Sequence, residues 1–299
     1  MKIQSIISLT IAVSLLAACS QESAKSSTPN TAVSAAAHIP NQPSEEARAL
    51  KQLLERIQTE RAAITPPALN ADIQTVKSFY QEELKRNNQY ITDLKKISPK
   101  DENSIAFHRY VIQFFEQATP IYEAFLSTGN TDALSKLSKL SEPNTNEYLS
   151  KALVFEAQFV KQPEFLLESA MMFEALEKLN KLVEMPSPNI DKSLPKQEKL
   201  LKFADHLENT WIPANQELLQ YFEKMPLTQP EIVALRDEHV LLMKTSIAKD
   251  QVALKHLREG KMEISEIQKQ MQKLSHTDQL REKTKQFTQA FDKALHNLK

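Results

Sequence analysis

From Glu45 onward, apolar residues recur three and four positions apart along this chain, the period of a helix with one buried face. The pattern predicts a helix over about Glu45–Ile64, stopped by Thr65-Pro66-Pro67, and a long one from about Pro67 to Ile97 carrying Leu69, Ile73, Val76, Phe79, Tyr80, Leu84, Ile91 and Leu94. Ser98-Pro99 predicts a restart, with serine as cap and proline at the first helical position. That helix carries Phe107, Tyr110, Val111, Phe114, Phe115, Ile121, Tyr122 and Phe125, should bend at Pro120 and should end at Gly129.

Shorter pieces follow, over about Asp132–Leu140, Tyr148–Lys161 and Glu164–Glu184, with Asn144 and Glu147 as a reciprocal cap. Met185-Pro186-Ser187-Pro188 is a break. Helix resumes over about Pro195–Met225, interrupted near Pro213. Thr228-Gln229-Pro230-Glu231 reads as a second capping box opening a long helix to Glu259. Ser265 and Gln268 suggest another start, and a last helix spans about Asp278–Leu298. No segment alternates as a strand does. The expected fold is all-α: an elongated bundle of long antiparallel helices with shorter helices in the middle, forming one domain over 45–299.

Pro67–Lys95 can be laid over Pro230–Arg258 without gaps, proline on proline and Leu94 on Leu257. A duplication would produce this, but two amphipathic helices of like spacing match as well, and that simpler account is preferred.

Composition narrows the chemistry. Average usage of about 7 % would supply roughly 20 glycines; there are 2, Gly129 and Gly260, each just past a predicted helix end where a left-handed cap belongs. Phosphate loops, nucleophile elbows and tight hairpins need glycine, so most nucleotide-binding, serine-hydrolase and β templates fall away.

The beginning of the chain has a different pattern. Lys2 is followed by an apolar stretch from Ile3 to Ala18, diluted by Gln4, Ser5, Ser8, Thr10 and Ser14. It is shorter and more polar than the roughly 20 apolar residues of a bilayer-spanning helix, and reads as a cleaved signal peptide over 1–18. Leu16-Ala17-Ala18-Cys19 resembles the lipobox of bacterial lipoproteins. The resemblance implies cleavage before Cys19, a lipid on its sulfur, an acylated new amino terminus, and hence three acyl chains. Ordinary secretion, with Cys19 incidental, is the alternative. One acyl chain binds a bilayer reversibly and two or more hold firmly. Ser20 stands where such lipoproteins often carry an aspartate when kept at the inner membrane, which implies the outer membrane; the inner membrane or a Gram-positive cell membrane stays open. Residues 19–44, rich in Ser, Ala, Thr, Asn, Gln and Pro, read as a flexible tether whose ends would lie roughly 25–30 Å apart.

Cys19 is the 1 cysteine of the chain, so disulfides, thiolate metal sites and cysteine nucleophiles are not expected. With Lys2 removed, 37 basic residues become 36 against 38 acidic, a net charge of −2. That balance lacks the basic surplus of nucleic-acid binders.

Histidines are where a metal or acid–base site would show. His38 is in the tether; His108, His206, His239, His256, His276 and His296 lie among the predicted helices. None is preceded by glutamate three positions earlier, as di-iron bundles require. His256 with Glu259, and Asp237-Glu238-His239 with Met243, are the nearest candidates. Both are expected to be surface or boundary residues, so no metal, cofactor or catalytic residue is assigned. The adjacent acids Glu45-Glu46, Glu82-Glu83 and Asp237-Glu238 point about 100° apart on a helix and read as solvated faces or partners of a helix dipole. Eight of the 13 phenylalanines fall between Phe107 and Phe173. They could line an apolar pocket, and are expected instead to be core, as is Trp211 before Pro213.

Three classes of function remain, in descending order: a non-catalytic envelope module that binds a protein or copies of itself; a binder of an apolar ligand or metal; and an enzyme with helix-borne carboxylates and histidines. Replacing Cys19 with alanine should leave the signal uncut and abolish incorporation of labelled fatty acid; normal labelling of that variant would refute the anchor.

Overall fold

The computed structural model describes residues 42–260 and 278–296, apart from 69, 142–144, 187 and 192. Residues 1–18, read above as a signal peptide, Cys19, nearly all of the segment read as a tether, Asn144, Ser265 and Gln268 lie outside the described residues. The fold is all-α, with no strand among the described residues. These residues form two compact units, 42–170 and 171–260 with 278–296.

The first unit contains α1 (Glu45–Ala62), α2 (Ile73–Lys95), α3 (Glu102–Thr128), a 3₁₀ turn (Thr131–Ala133), α4 (Ser135–Ser141) and α5 (Thr145–Ala157). Ser44 caps α1 by accepting from the Ala47 amide at 3.0 Å. Two expected helix starts move. α2 begins not at Pro67 but after Asp72, whose carboxylate accepts from the Gln74 and Thr75 amides and the Thr75 hydroxyl. α3 begins not at Ser98-Pro99 but after Asp101, which accepts from the Ser104 amide at 2.8 Å. In both cases an aspartate satisfies orphan amides with a charged acceptor and outcompetes the upstream proline signal. α3 runs through Pro120 and ends at Gly129, whose φ of 69° is the left-handed cap that glycine adopts without a Cβ clash.

The helices of this unit pack antiparallel. Tyr80 meets Tyr122 and Phe125, Tyr90 meets Phe115, and Leu94 meets His108, so α2 and α3 run in opposite directions. Phe107 touches Tyr148 and Phe155, and Ser104 bonds Gln158, which sets α5 antiparallel to α3 as well. Ion pairs from Lys100 to Glu46 and from Arg56 to Asp93 align α1 against α2. The buried seam of α3 is Ser104, Phe107, Val111, Phe115, Ala118, Tyr122 and Phe125. Tyr110 and Phe114 sit at its half-buried edge.

α6 (Glu164–Val183) carries the boundary between the two units, at Ala170 and Met171. The helix is unbroken there, so no proline, glycine or polar run marks the boundary. The second unit continues with α7 (Lys196–His206), a π-helical turn (Leu207–Trp211), α8 (Ile212–Glu223), α9 (Pro230–Arg258) and α10 (Asp278–His296). The interruption expected near Pro213 is that π turn. A register shift to i→i+5 bonding accommodates a proline that can donate no amide hydrogen, and helix continues on both sides. At the start expected from Thr228-Gln229-Pro230-Glu231, Gln229 occupies the cap position without a capping bond from its own side chain, and Pro230 opens the helix. α9 runs antiparallel to α7 and α8, as Arg258 to Asp205, Trp211 to Asp250 and Phe222 to His239 show. α10 packs on α9, and its Phe287 and Phe291 close on Phe173.

Over the stretch where Pro67–Lys95 matches Pro230–Arg258, Asn87, Tyr90 and Leu94 of α2 correspond to Asp250, Ala253 and Leu257 of α9, and all six are buried. A shared helical period is sufficient to produce this register.

Phe155 is 0 % exposed and packs on Phe107 and Phe159. Phe155→Ala should cost about 3–5 kcal/mol through lost transfer energy and a residual cavity, whereas Phe114→Ala, at the edge, should cost about half as much or less. Chemical denaturation of both variants checks this, and equal small losses would contradict a close-packed aromatic seam.

Candidate functional site

Two kinds of feature compete for a functional role: polar groups held inside the helices, and apolar groups held outside them.

The interior polar groups serve the core. Asn87 is 2 % exposed and donates to the Phe115 carbonyl and the Thr119 hydroxyl, both at 2.8 Å. These bonds join α2 to α3 one turn before Pro120, where a helix loses a backbone donor. Lys51 pairs with Glu156 and also lies 4.7 Å from the centre of the Phe159 ring. Burial pushes the Glu156 carboxyl up and the Lys51 ammonium pulls it down. In the second unit, Trp211 Nε1 donates to Asp250 at 3.0 Å. Asp250 is 3 % exposed, and burial raises its carboxyl while the indole hydrogen bond lowers it. The π turn is what directs Trp211 toward α9, a geometry that local sequence does not announce.

His108 Nε2 lies 2.8 Å from the Leu94 carbonyl, across the α2–α3 hairpin. His206 and His256 are half-buried, and Glu259 is exposed one turn beyond His256. His239 is buried, stacked at 5.5 Å on Phe222, and burial lowers its pKa to about 4. Of its sequence neighbours, Met243 shares the buried face, while Asp237 is exposed and bonded to Arg236 at 2.6 Å. Among the described residues, no group of three or more His, Cys, Asp or Glu side chains could hold a metal ion. His38 and His276 lie outside the described residues. The paired acids separate as their angular offset requires: Glu83 is buried and bonded to Arg86 at 3.0 Å, and Glu82 is exposed. At the start of α1, the hydrogen bond from Lys100 holds the Glu46 carboxyl below its usual range.

The aromatic rings are packed against one another. Phe107, Phe115, Phe125 and Phe155 are buried in the first unit, and Phe173 is buried against Phe287 and Phe291 in the second. Phe114, Phe159 and Phe165 are half-buried.

Outside, α9 is the exceptional element. Its inward face presents Ile232, Leu235, His239, Met243, Ile247, Asp250, Ala253 and Leu257. On the opposite face, Leu241 is 54 % exposed and Val252 is 56 % exposed. Thr245 and Ala248 lie between them and are also exposed. Thr245 Oγ1 donates to the Leu241 carbonyl at 2.8 Å, so its polar atom is spent on the helix and its methyl is left to the surface. A shallow groove follows this face, lined by Lys244, Thr245, Ala248, Lys249 and Val252. Sequence reading missed the stripe, although its signal is present: apolar residues of α9 recur on two faces instead of one. Among the described residues, no helix is long and apolar enough to cross a membrane.

The chain matches no family model, no curated protein and no solved structure.

The buried His239 generates a pH dependence. Its folded pKa of about 4 lies below the unfolded value of about 6.5, so the unfolded chain binds the proton more readily. Its stabilising effect is complete above pH ~6.5 and is lost as pH falls toward ~4, by at most on the order of 3 kcal/mol. The raised carboxyls of Asp250 and Glu156 act in the opposite direction. The difference between the native chain and His239→Leu isolates the histidine: denaturation curves from pH 7 to pH 4 should converge or cross as the native chain loses its advantage. A constant difference would show that His239 accepts a proton in place.

Proposed function

We propose that this protein is a membrane-anchored helical lipoprotein of the bacterial envelope that works without catalysis, as a protein-binding or scaffold module. Acyl chains on Cys19, palmitate among them, would hold it at the outer membrane facing the periplasm, and residues 20–44 would let the helices stand off the surface. The anchor rests on Leu16-Ala17-Ala18-Cys19 at the end of an apolar stretch. The binding role rests on one observation, the apolar stripe on the outer face of α9, where Leu241 and Val252 remain more than half exposed. Lone exposed leucines and valines are ordinary on a protein surface. A set aligned along one helix face, between exposed lysines, is the arrangement of helix-to-helix recognition.

Photo-crosslinking in intact cells tests this reading. The full-length chain should fractionate with membranes and, with a photoreactive residue at Leu241 or Val252, should form a protein adduct of higher mass. A chain that stays in the soluble fraction, or that labels no protein from either position, contradicts it.

A further inference from the structure

The α9 stripe has an internal symmetry. Along the helix, Glu238, Leu241, Thr245, Ala248, Val252 and Lys255 fall three and four residues apart, the alternation of a coiled-coil seam. Reversed about a point between Ser246 and Ile247, the series maps onto itself: Leu241 onto Val252, Thr245 onto Ala248, and Glu238 onto Lys255. Acid is exchanged for base, and each apolar position for another. We infer that this face is a self-association surface, on which α9 of a second copy lies antiparallel across a two-fold axis. The inference rests on the reading of the chain as a protein-binding module and names the partner.

Three observations favour a second copy over an unrelated helix. The first is charge. A two-fold axis places each Glu238 opposite the partner copy's Lys255, so both ends of the seam are complementary, and this follows from a single sequence. The second is which charges remain for the purpose. Lys244 is held by Glu223 at 2.7 Å, Asp237 by Arg236 at 2.6 Å, and Arg258 by Asp205 at 2.7 Å. Lys249 and Lys255 are exposed, and Glu238 is half-buried at the edge of the stripe, with one carboxylate oxygen enclosed by the fold and without a hydrogen-bond partner. The third is size. Ala248 and the methyl of Thr245 stand at the middle of the seam, where short side chains let two helices approach closely, while the larger Leu241 and Val252 face each other toward its ends. One helix face buries less than the roughly 1,200 Å² at the lower bound of a stable interface. The pair is therefore a weak one, favoured where copies are concentrated on one surface.

Disulfide trapping in cells expressing the full-length chain tests this geometry. Antiparallel pairing brings residue 241 of one copy to residue 252 of the other, whereas two residues 241 lie about 16 Å apart along the axis. A chain carrying both Leu241→Cys and Val252→Cys should give a covalent dimer under mild oxidation, and each single variant should not. Adding Glu238→Lys to the double-cysteine chain should lower the dimer yield about tenfold, since two attractive contacts become repulsive; adding Lys255→Glu as well should restore it. Far-ultraviolet circular dichroism of the purified variants separates lost pairing from lost folding. Dimers from either single variant would overturn the antiparallel register. No dimer from a folded double-cysteine chain would overturn self-association. If photo-crosslinking at Leu241 or Val252 then captured only a different protein, the binding-module reading would survive and the second copy would be wrong.

Discussion

Each unit depends on one long helix that must bury a continuous seam against several neighbours at once. In the first unit this is α3. Phe107, Val111, Phe115, Ala118, Tyr122 and Phe125 follow one another at helical spacing, and α1, α2, α4 and α5 all pack on the same helix. In the second it is α9, against which α7, α8 and α10 pack. A chain whose single cysteine lies outside these helices has no disulfide to hold them, so the fold rests on this burial. Large aromatic side chains supply much of the area, and their rings meet at centroid distances of 5.1–5.8 Å in the Phe107–Phe155, Phe155–Phe159 and Phe173–Phe287 pairs.

Polar groups inside the seams select one arrangement from several of similar apolar content. A helix with period 3.6 can slide by one turn against its partner at little apolar cost. Asn87, bonded to the Phe115 carbonyl and the Thr119 hydroxyl, cannot slide without leaving buried polar atoms unsatisfied. The Trp211–Asp250 bond and the Lys51–Glu156 pair set the register of α9 and α5 in the same way. This gives these groups a structural role, although buried titratable residues often mark active sites: each bonds a neighbour across a helix pair.

α9 departs from that economy. Its inward face is committed to the core of its unit, and its outward face keeps Leu241, Thr245, Ala248 and Val252 in line. In a helix selected only to cover a core, those positions would carry charged or polar side chains, as Glu82, Lys85 and Gln89 do on α2. The apolar choice is one the fold itself does not require, and for that reason it carries the functional proposal.

Much of the fold was legible in the sequence because it arises from local rules. The 3.6 period, the prolines at 186 and 188, and glycines 129 and 260 at helix ends act through neighbours in the chain, so the helices and most of their ends follow directly. The site was less legible. Whether an apolar residue of a helix faces a core or the surface depends on what packs beside it. Phe114 and Phe115 look alike as letters, yet Phe115 enters the seam and Phe114 its edge; Met243 and Leu241 are both apolar, yet Met243 is buried and Leu241 exposed on opposite faces of α9. Competition between caps was also decided beyond the local pattern, with Asp72 and Asp101 displacing the proline starts. By itself, the sequence determined that the chain is helical, where glycine must end a helix, and that the one cysteine follows an apolar stretch. The tertiary structure alone decided that α6 continues across the boundary at residue 170, that a π turn brings Trp211 to Asp250, and that one face of α9 is left without a neighbour among the described residues. Helix formation is a property of residues close in the chain, while burial is a property of residues brought together from far apart along it.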